Sequence, residues 1–324
     1  MMPTAVDSSW VILLAGGDGT RLCHLTTTKE GVAVPKQFCS LHGGHSLMQE
    51  SLHRASTIAT QRRIVAVVTE RHRRWWQPQL WSLPPNNIVE QPTNRGTAFG
   101  ILLPLLHILE RDPTANVVLL PCDHYVDDEA VLAEAIRTAL RYVRLHDDYP
   151  VLLGMEPELP DPELGYIVPG VGSSDRTASV LRFAEKPPRP QALQLIDRGA
   201  LWNTFIVVSR GRALLHLFDA RLADLVAETR AVVRRSLRDG DRGLVVDLYQ
   251  RLPVLDFSKH ILQSQEHRLR VLPVPACGWS DLGTPERVGA TLSRLPGDVR
   301  REAHRSTTVH VNLARQHAIF STHI

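Results

Sequence analysis

The chain has 324 residues, 43% of them apolar, which suffices for one large α/β domain with at most a small appendage. Charged residues make up 22%, no single-sign block exceeds three residues, and the net charge is +3; this suits a site that handles phosphates and excludes the basic stripe of a nucleic-acid-binding protein. Cys23, Cys39, Cys122 and Cys277 lack Cys-x-x-Cys spacing, which argues against a disulfide scaffold or a structural zinc site.

The N-terminus Met1-Met2-Pro3-Thr4 carries no basic n-region, and the apolar run 10–15 is too short for a membrane span. A cytoplasmic protein with no membrane partner is the expectation. From there, short β-branched runs alternate with helical patterns. The run 10–15 reads as a strand, 46–58 as a helix, 64–69 as a strand, 97–111 as a helix and 117–121 as a strand. A helix at 128–145 follows, then strands at 151–154 and 180–183, a helix at 190–197, a strand at 205–209, a helix at 212–237, a strand at 269–274 and a helix at 285–292. Several strands are apolar without alternation, as strands covered on both faces are. The order predicts βαβ units, right-handed crossovers and a Rossmann-like, mainly parallel sheet flanked by helices. Pro187-Pro188-Arg189-Pro190 reads as a stiff turn inside this unit. Composition shifts after about Leu295, so 1–295 is expected to be one domain. Residues 296–324, with a β-like stretch at 307–311, are expected to form an appendage whose role the sequence does not give.

The first strand runs into Gly16-Gly17-Asp18-Gly19-Thr20-Arg21. Its three glycines let the backbone turn sharply and approach a ligand. Exposed N–H groups in such a turn form an anion-binding concavity, and Arg21 adds a fixed charge. Walker A spacing is absent, and a Rossmann fingerprint starting at Gly17 would need glycine where Leu22 stands. An NAD(P) oxidoreductase is therefore disfavoured. A glycine turn that binds nothing remains open from the loop alone.

Pro35-Lys36-Gln37-Phe38 follows. Together, residues 14–38 resemble the signature of the sugar-1-phosphate nucleotidyltransferases, and Pro-Lys-Gln-Phe is similar to that of their mannose-1-phosphate guanylyltransferase subgroup. The resemblance runs in order from about Trp10 to Arg287. It implies the nucleotide-diphospho-sugar transferase fold, with 1–295 as a catalytic domain. It also implies that Ala15, Gly16, Gly17, Gly19 and Thr20 wrap the nucleotide, while Arg21 and Lys36 steady the triphosphate. The family's Pro three residues after the arginine is His24 here, and the stretch through Thr26-Thr27-Thr28-Lys29-Glu30 is longer than usual.

Further motifs follow in family order. Glu90-Gln91-Pro92-Thr93-Asn94-Arg95-Gly96-Thr97 resembles the base-reading loop, with Gln91, Gly96 and Thr97 against the nucleotide. A polar turn capping the next helix, through Asn94 or Thr97, stays open beside that reading. The strand into Pro121-Cys122-Asp123-His124 puts a carboxylate at the sheet's carboxyl edge, where open α/β sheets bind ligands. Asp123 could instead cap the helix, although Asp127 and Asp128 fit that cap better. The resemblance makes Asp123 a Mg²⁺ ligand, with Asp281 of Trp279-Ser280-Asp281-Leu282-Gly283 as the second. On the sugar side, Gly165, Glu185, Lys186 and Asn203 are matched to groups that hold a sugar 1-phosphate. The Gly165 loop is two residues shorter than in the family, and Phe205 stands where the family has glycine. Asp256-Phe257-Ser258-Lys259-His260 is a partial match that would place Lys259 near the sugar phosphate.

The implied reaction joins a nucleoside triphosphate, GTP by resemblance, to a sugar 1-phosphate, mannose 1-phosphate by resemblance, and releases pyrophosphate. Mg²⁺ is the expected cofactor, and Arg21, Lys36, Asp123, Lys186 and Asp281 the expected catalytic set. A thymidylyl-, uridylyl- or cytidylyltransferase acting on another sugar 1-phosphate is the near alternative. A non-catalytic nucleotide-sugar sensor is the alternative of another class. About forty residues follow Asp281, so neither of the family's usual C-terminal additions is expected. A homodimer is one role open to the tail, and the sequence gives no interface for it.

Overall fold

The computed structural model describes residues 9–19, 22–28, 30–40, 44–172 and 176–295. Thr20, Arg21 and Lys29 lie outside the described residues, as does the tail 296–324 with its expected stretch at 307–311.

The strands β1 (Ser9–Leu14), β2 (Ile64–Thr69), β3 (Ile88–Gln91) and β4 (Asn116–Pro121) form a parallel half-sheet in the order β3-β2-β1-β4. Three of these strands are nearly continuous apolar runs, because helices cover both faces. Val11, Leu13, Ala66 and Val68 point into one core; Trp10, Ile12, Val65 and Val67 point into the other. The first core is closed by α1 (Leu47–Ser56), α2 (Arg73–Trp76), α4 (Glu129–Leu145) and α5 (Arg189–Ile196), and the second by α3 (Thr97–Arg111), α6 (Gly211–Asp239) and α7 (Gly243–Arg251). The last helix is α8 (Pro285–Arg294).

Beyond β4 the sheet changes character. It continues through β8 (Leu201–Arg210), β5 (Val151–Met155), β9 (Arg270–Val274), β7 (Ala178–Ala184) and β6 (Tyr166–Gly172). The parallel arrangement expected from the sequence holds for β1 to β4 and again for β5 with β9. The second half is mixed, because β8 runs antiparallel to both β4 and β5 and the β6–β7 hairpin folds back antiparallel. The reversal is made at the β6–β7 hairpin: β7 runs antiparallel to β9, and α5 then carries the chain to β8 in the same direction as β7. β3 and β6 were not expected as strands. β3 is short and carries Glu90 and Gln91, and β6 carries Pro169 and two glycines, so neither shows an apolar run.

This topology positions the site. β1, β2, β3 and β4 point one way, and β5 and β9, reached across the reversed β8, point the same way. The glycine loop, Gln91, Asp123 and Asp281 thus leave one carboxyl edge. The Asp128 side chain accepts from the Ala130 and Val131 N–H groups at 3.1 Å and caps α4, which leaves Asp123 free of that duty. The stretch after Leu22 folds into a small antiparallel finger. Thr27 pairs with Ala33, the Thr28 N–H donates to Val32 O at 2.9 Å, and Gly31 turns with φ 80°.

Candidate functional site

The carboxyl edge opens into one cleft of about 570 Å³, a size suited to a small-molecule site. At one end lies the glycine loop. Gln37 holds its shape: the side-chain N–H groups donate to Ala15 O at 3.0 Å and Gly17 O at 2.8 Å, and the Thr69 hydroxyl donates to Gly16 O at 2.9 Å. With those carbonyls tied back into the protein, the loop has fewer acceptors left to repel an anion. Gly19 has φ 62°, and a Cβ there would stand 2.7 Å from the Lys36 backbone nitrogen. Gly16, Gly17 and Gly19 line the cleft. Ala15 does not. Its N–H donates to Val67 O at 3.0 Å and its carbonyl is taken by Gln37, so it belongs to the sheet beneath the loop.

Gln91, Gly96 and Thr97 also line this end. Gln91 is buried, and its Oε1 accepts from the Tyr249 hydroxyl at 3.2 Å. Gly96 precedes α3 with φ 84°, and a Cβ there would strike the Leu255 backbone. The helix has no side-chain cap; Asn94 instead accepts the Gly96 N–H at 2.8 Å and donates to Asp18 at 3.2 Å. Asp18 is also paired with Arg71, so the loop's own acid is neutralised. The Thr97 hydroxyl donates to Asp256 Oδ2 at 3.3 Å and accepts the Phe257 N–H at 2.7 Å.

The two expected metal carboxylates come together through the backbone. Tyr125 and Ser280 form an antiparallel bridge, with N···O distances of 2.8 and 3.0 Å, so the turn after β4 is stitched to the turn after β9. Lys36 lies between them. Its Nζ is 3.0 Å from Asp123 Oδ2 and donates to the main-chain carbonyl of Asp281 at 2.6 Å. Burial pushes the Asp123 carboxyl up, but the Lys36 ammonium, by its charge and its hydrogen bond, outweighs it and holds the group below the usual carboxylate range. Asp281 Oδ1 is 3.0 Å from Arg287 Nε, and Arg287 in turn bonds Asp161 at 2.7 Å. Burial drives His124 down to about 4, so its ring is neutral and its Nδ1 accepts from Trp279 Nε1 at 3.3 Å. That is a structural role.

At the far end stand Gly165, Glu185, Lys186 and Asn203. The Asn203 N–H donates to Gly165 O at 2.8 Å, and a Cβ on Gly165 would lie 2.7 Å from Glu185 Oε2. A side chain here would displace the Glu185 carboxylate, so the glycine lets the three segments approach closely. Lys186 Nζ is 3.6 Å from Glu163 Oε2. Burial, helped by nearby Asp256, raises the Glu185 carboxyl to about 7. Lys259 is exposed and does not line the cleft; the residue of that segment that does is Asp256.

Among the described residues, five non-glycine residues have positive φ, and three of them, Lys186, Phe205 and Leu282, line this cleft. Strained backbone gathers where a ligand must be gripped. Gln37, Tyr249 and Asp256 were not singled out as site residues by sequence reasoning. Gln37 had a signal, its place beside Lys36; Asp256 reaches the cleft, and Tyr249 reaches Gln91 behind it, only through the tertiary packing of α7 and the segment after it.

A glycine loop and two carboxylates at the carboxyl edge of a mainly parallel, helix-flanked sheet define a Rossmann-like nucleotide-diphospho-sugar transferase fold. Residues 10–291 match the family described as Nucleotidyl transferase, and the chain belongs to that family. It is 29% identical over 278 residues to the alginate biosynthesis protein AlgA of Pseudomonas syringae, covering 84% of this chain and 56% of that protein. It is 30% identical over 236 residues to a mannose-1-phosphate guanylyltransferase of Klebsiella pneumoniae, covering 71% and 49%. The chain thus spans about half the length of these curated relatives. A solved structure described as mannose-1-phosphate geranyltransferase from Thermus thermophilus matches with a TM-score of 0.75 at 25% identity, covering 89% of this chain and 80% of that one. Among the described residues, no helix is long and apolar enough to cross a membrane.

Proposed function

We propose that this chain transfers a nucleotidyl group from a nucleoside triphosphate to a sugar 1-phosphate, with GTP and mannose 1-phosphate as the preferred pair. The observation that carries the reading is the single cleft, in which an anion-accepting glycine loop and a hydroxyl-reading wall face each other across Asp123, Lys36 and Asp281. Pro35-Lys36-Gln37-Phe38 and relatives named as mannose-1-phosphate guanylyltransferases support the choice of substrates.

In this mechanism a sugar-phosphate oxygen attacks the α-phosphorus in line, the bond from that phosphorus to the bridging oxygen breaks, and pyrophosphate leaves with the electron pair. No protein nucleophile is needed, because the phosphate monoester is already an anion. The chain supplies position and charge. The loop N–H groups donate to the triphosphate, with Lys36 adding positive charge beneath it, and the motif assigns Arg21 to the same phosphates; Gln91 and Gly96 take the base. Glu185 and Asn203 take sugar hydroxyls, and Lys186 holds the sugar phosphate. Asp123 and Asp281 are the residues that would hold Mg²⁺. No cluster of three ligating side chains occurs among the described residues. Two carboxylates suit a hard cation that completes its shell with water and substrate phosphate. When bound, the ion neutralises charge on the phosphates. Four nucleoside triphosphates crossed with several sugar 1-phosphates, read by pyrophosphate release, test the substrate choice. Fastest release with GTP and mannose 1-phosphate is expected; faster release with dTTP and glucose 1-phosphate would overturn it.

Glu185 gives a separate expectation. Its carboxyl lies at about 7 in the folded chain against an ordinary 4.5, so between those values the native state holds a proton that the unfolded state has lost. Stability therefore falls as pH rises through that window. Melting temperatures taken from about pH 5 to pH 7 should fall more steeply in the wild type than in Glu185→Gln. Parallel curves would contradict the assignment.

A further inference from the structure

Phe205 carries a bulky side chain on a backbone that favours glycine. Its φ is 60°, and it lines the cleft beside Asn203. Two interactions hold it there. Its N–H donates to Asn203 Oδ1 at 3.1 Å, so the left-handed turn also aims the Asn203 amide. Its ring stands edge-on to Phe257, with centroids 5.8 Å apart, and Phe257 stacks on Phe218 at 5.6 Å. Phe257 and Phe218 are fully buried, so the ring rests on a close-packed base that cannot retreat. Asn203 stands beside Phe205, and Gly165 lets the Glu185 carboxylate and Asn203 come close to its backbone. The sugar end thus sets the polar groups of Glu185 and Asn203 next to an apolar floor held by Phe205.

We propose that Phe205 is the specificity-determining residue of the sugar subsite: its ring sets the floor height, admitting an unsubstituted hexose 1-phosphate and rejecting one enlarged by an acylamino group. This rests on the nucleotidyltransferase reading above. The floor is rigid, and overpacking against a close-packed surface is costly. Pocket shape of this kind discriminates by roughly 10- to 200-fold.

The test is kcat/KM for mannose 1-phosphate against 2-acetamido-2-deoxymannose 1-phosphate, read by pyrophosphate release. Wild type should favour the unsubstituted sugar within roughly that range. Phe205→Gly, which keeps the backbone turn and removes the ring, should lower the ratio about tenfold or more through KM of the larger sugar, with KM for the nucleotide unchanged. Phe205→Trp, which keeps the aromatic packing and raises the floor, should increase KM for mannose 1-phosphate. It carries the test if the glycine variant does not fold. An unchanged ratio in Phe205→Gly, or an unchanged sugar KM in Phe205→Trp, would overturn the proposal and leave the enzymatic reading intact. Wild type releasing no pyrophosphate with any sugar 1-phosphate would overturn both.

Discussion

Asp123→Asn should lower turnover by about 10²-fold or more, the scale of losing one preorganised electrostatic group at a reacting phosphate. The substitution is nearly isosteric and removes the charge at the cleft floor. Asp123 has 41% of its side chain open to the cleft, whereas Lys36 beside it is only 10% open, so the acid is the group a ligand can reach. The fold should survive. Asp128 caps α4 instead, and Lys36 retains the carbonyl oxygens of Asp281 and Leu282 as acceptors at 2.6 and 3.3 Å. Steady-state kinetics and a melting curve on the same preparation check this. Near-normal kcat in a folded Asp123→Asn protein would remove Asp123 from the reacting centre.

Gly96→Ala should have the largest effect on the nucleotide end. The residue sits at φ 84° and ψ 171°, an essentially glycine-only region where an L side chain costs about 1–3 kcal/mol. Its Cβ would also strike the Leu255 carbonyl and lie 2.9 Å from the Leu255 nitrogen. These are backbone atoms, held in place because Leu255 N donates to Arg95 O at 3.1 Å and its carbonyl accepts from Ala98 N at 3.0 Å. Something must shift, and overpacking of this kind adds about 1–3 kcal/mol. The combined loss should lower the melting temperature by roughly 5–10 °C. Because Asn94 is tied to the Gly96 N–H and to Asp18 in the glycine loop, both nucleotide loops move together. KM for the triphosphate should rise several-fold and KM for the sugar phosphate should hardly change. A melting point within a degree of wild type, with unchanged nucleotide affinity, would contradict the clash.

The parallel half of the fold was legible because β1, β2 and β4 are uninterrupted apolar runs, a pattern that burial on both faces imposes. The reversal at β8 was not. Its residues read as a strand whichever way they run, and direction is set by partners distant in sequence. β6 was hidden by Pro169 and its glycines, which suit a hairpin bent between register shifts. At the cleft, Lys36, Glu185 and the two aspartates were singled out because they stand in short local motifs, and the fold gathers all four along its lining. Tyr249 was not, since its role is to hold Gln91 from 158 positions away. Asp256 was passed over for Lys259 because local sequence alone could not show which of them turns inward. Phe205 was noticed as a departure from glycine, but only the backbone angle shows that the departure left the glycine conformation in place.

If one cleft joins a nucleoside triphosphate to a sugar 1-phosphate, both products must appear together. The most direct measurement incubates the wild-type chain with α-³²P-labelled GTP, mannose 1-phosphate and Mg²⁺, and follows the label and the pyrophosphate together. The label should move into a sugar nucleotide, with pyrophosphate released in equal amount. Bound but unconverted label, or release of orthophosphate in place of pyrophosphate, would contradict it.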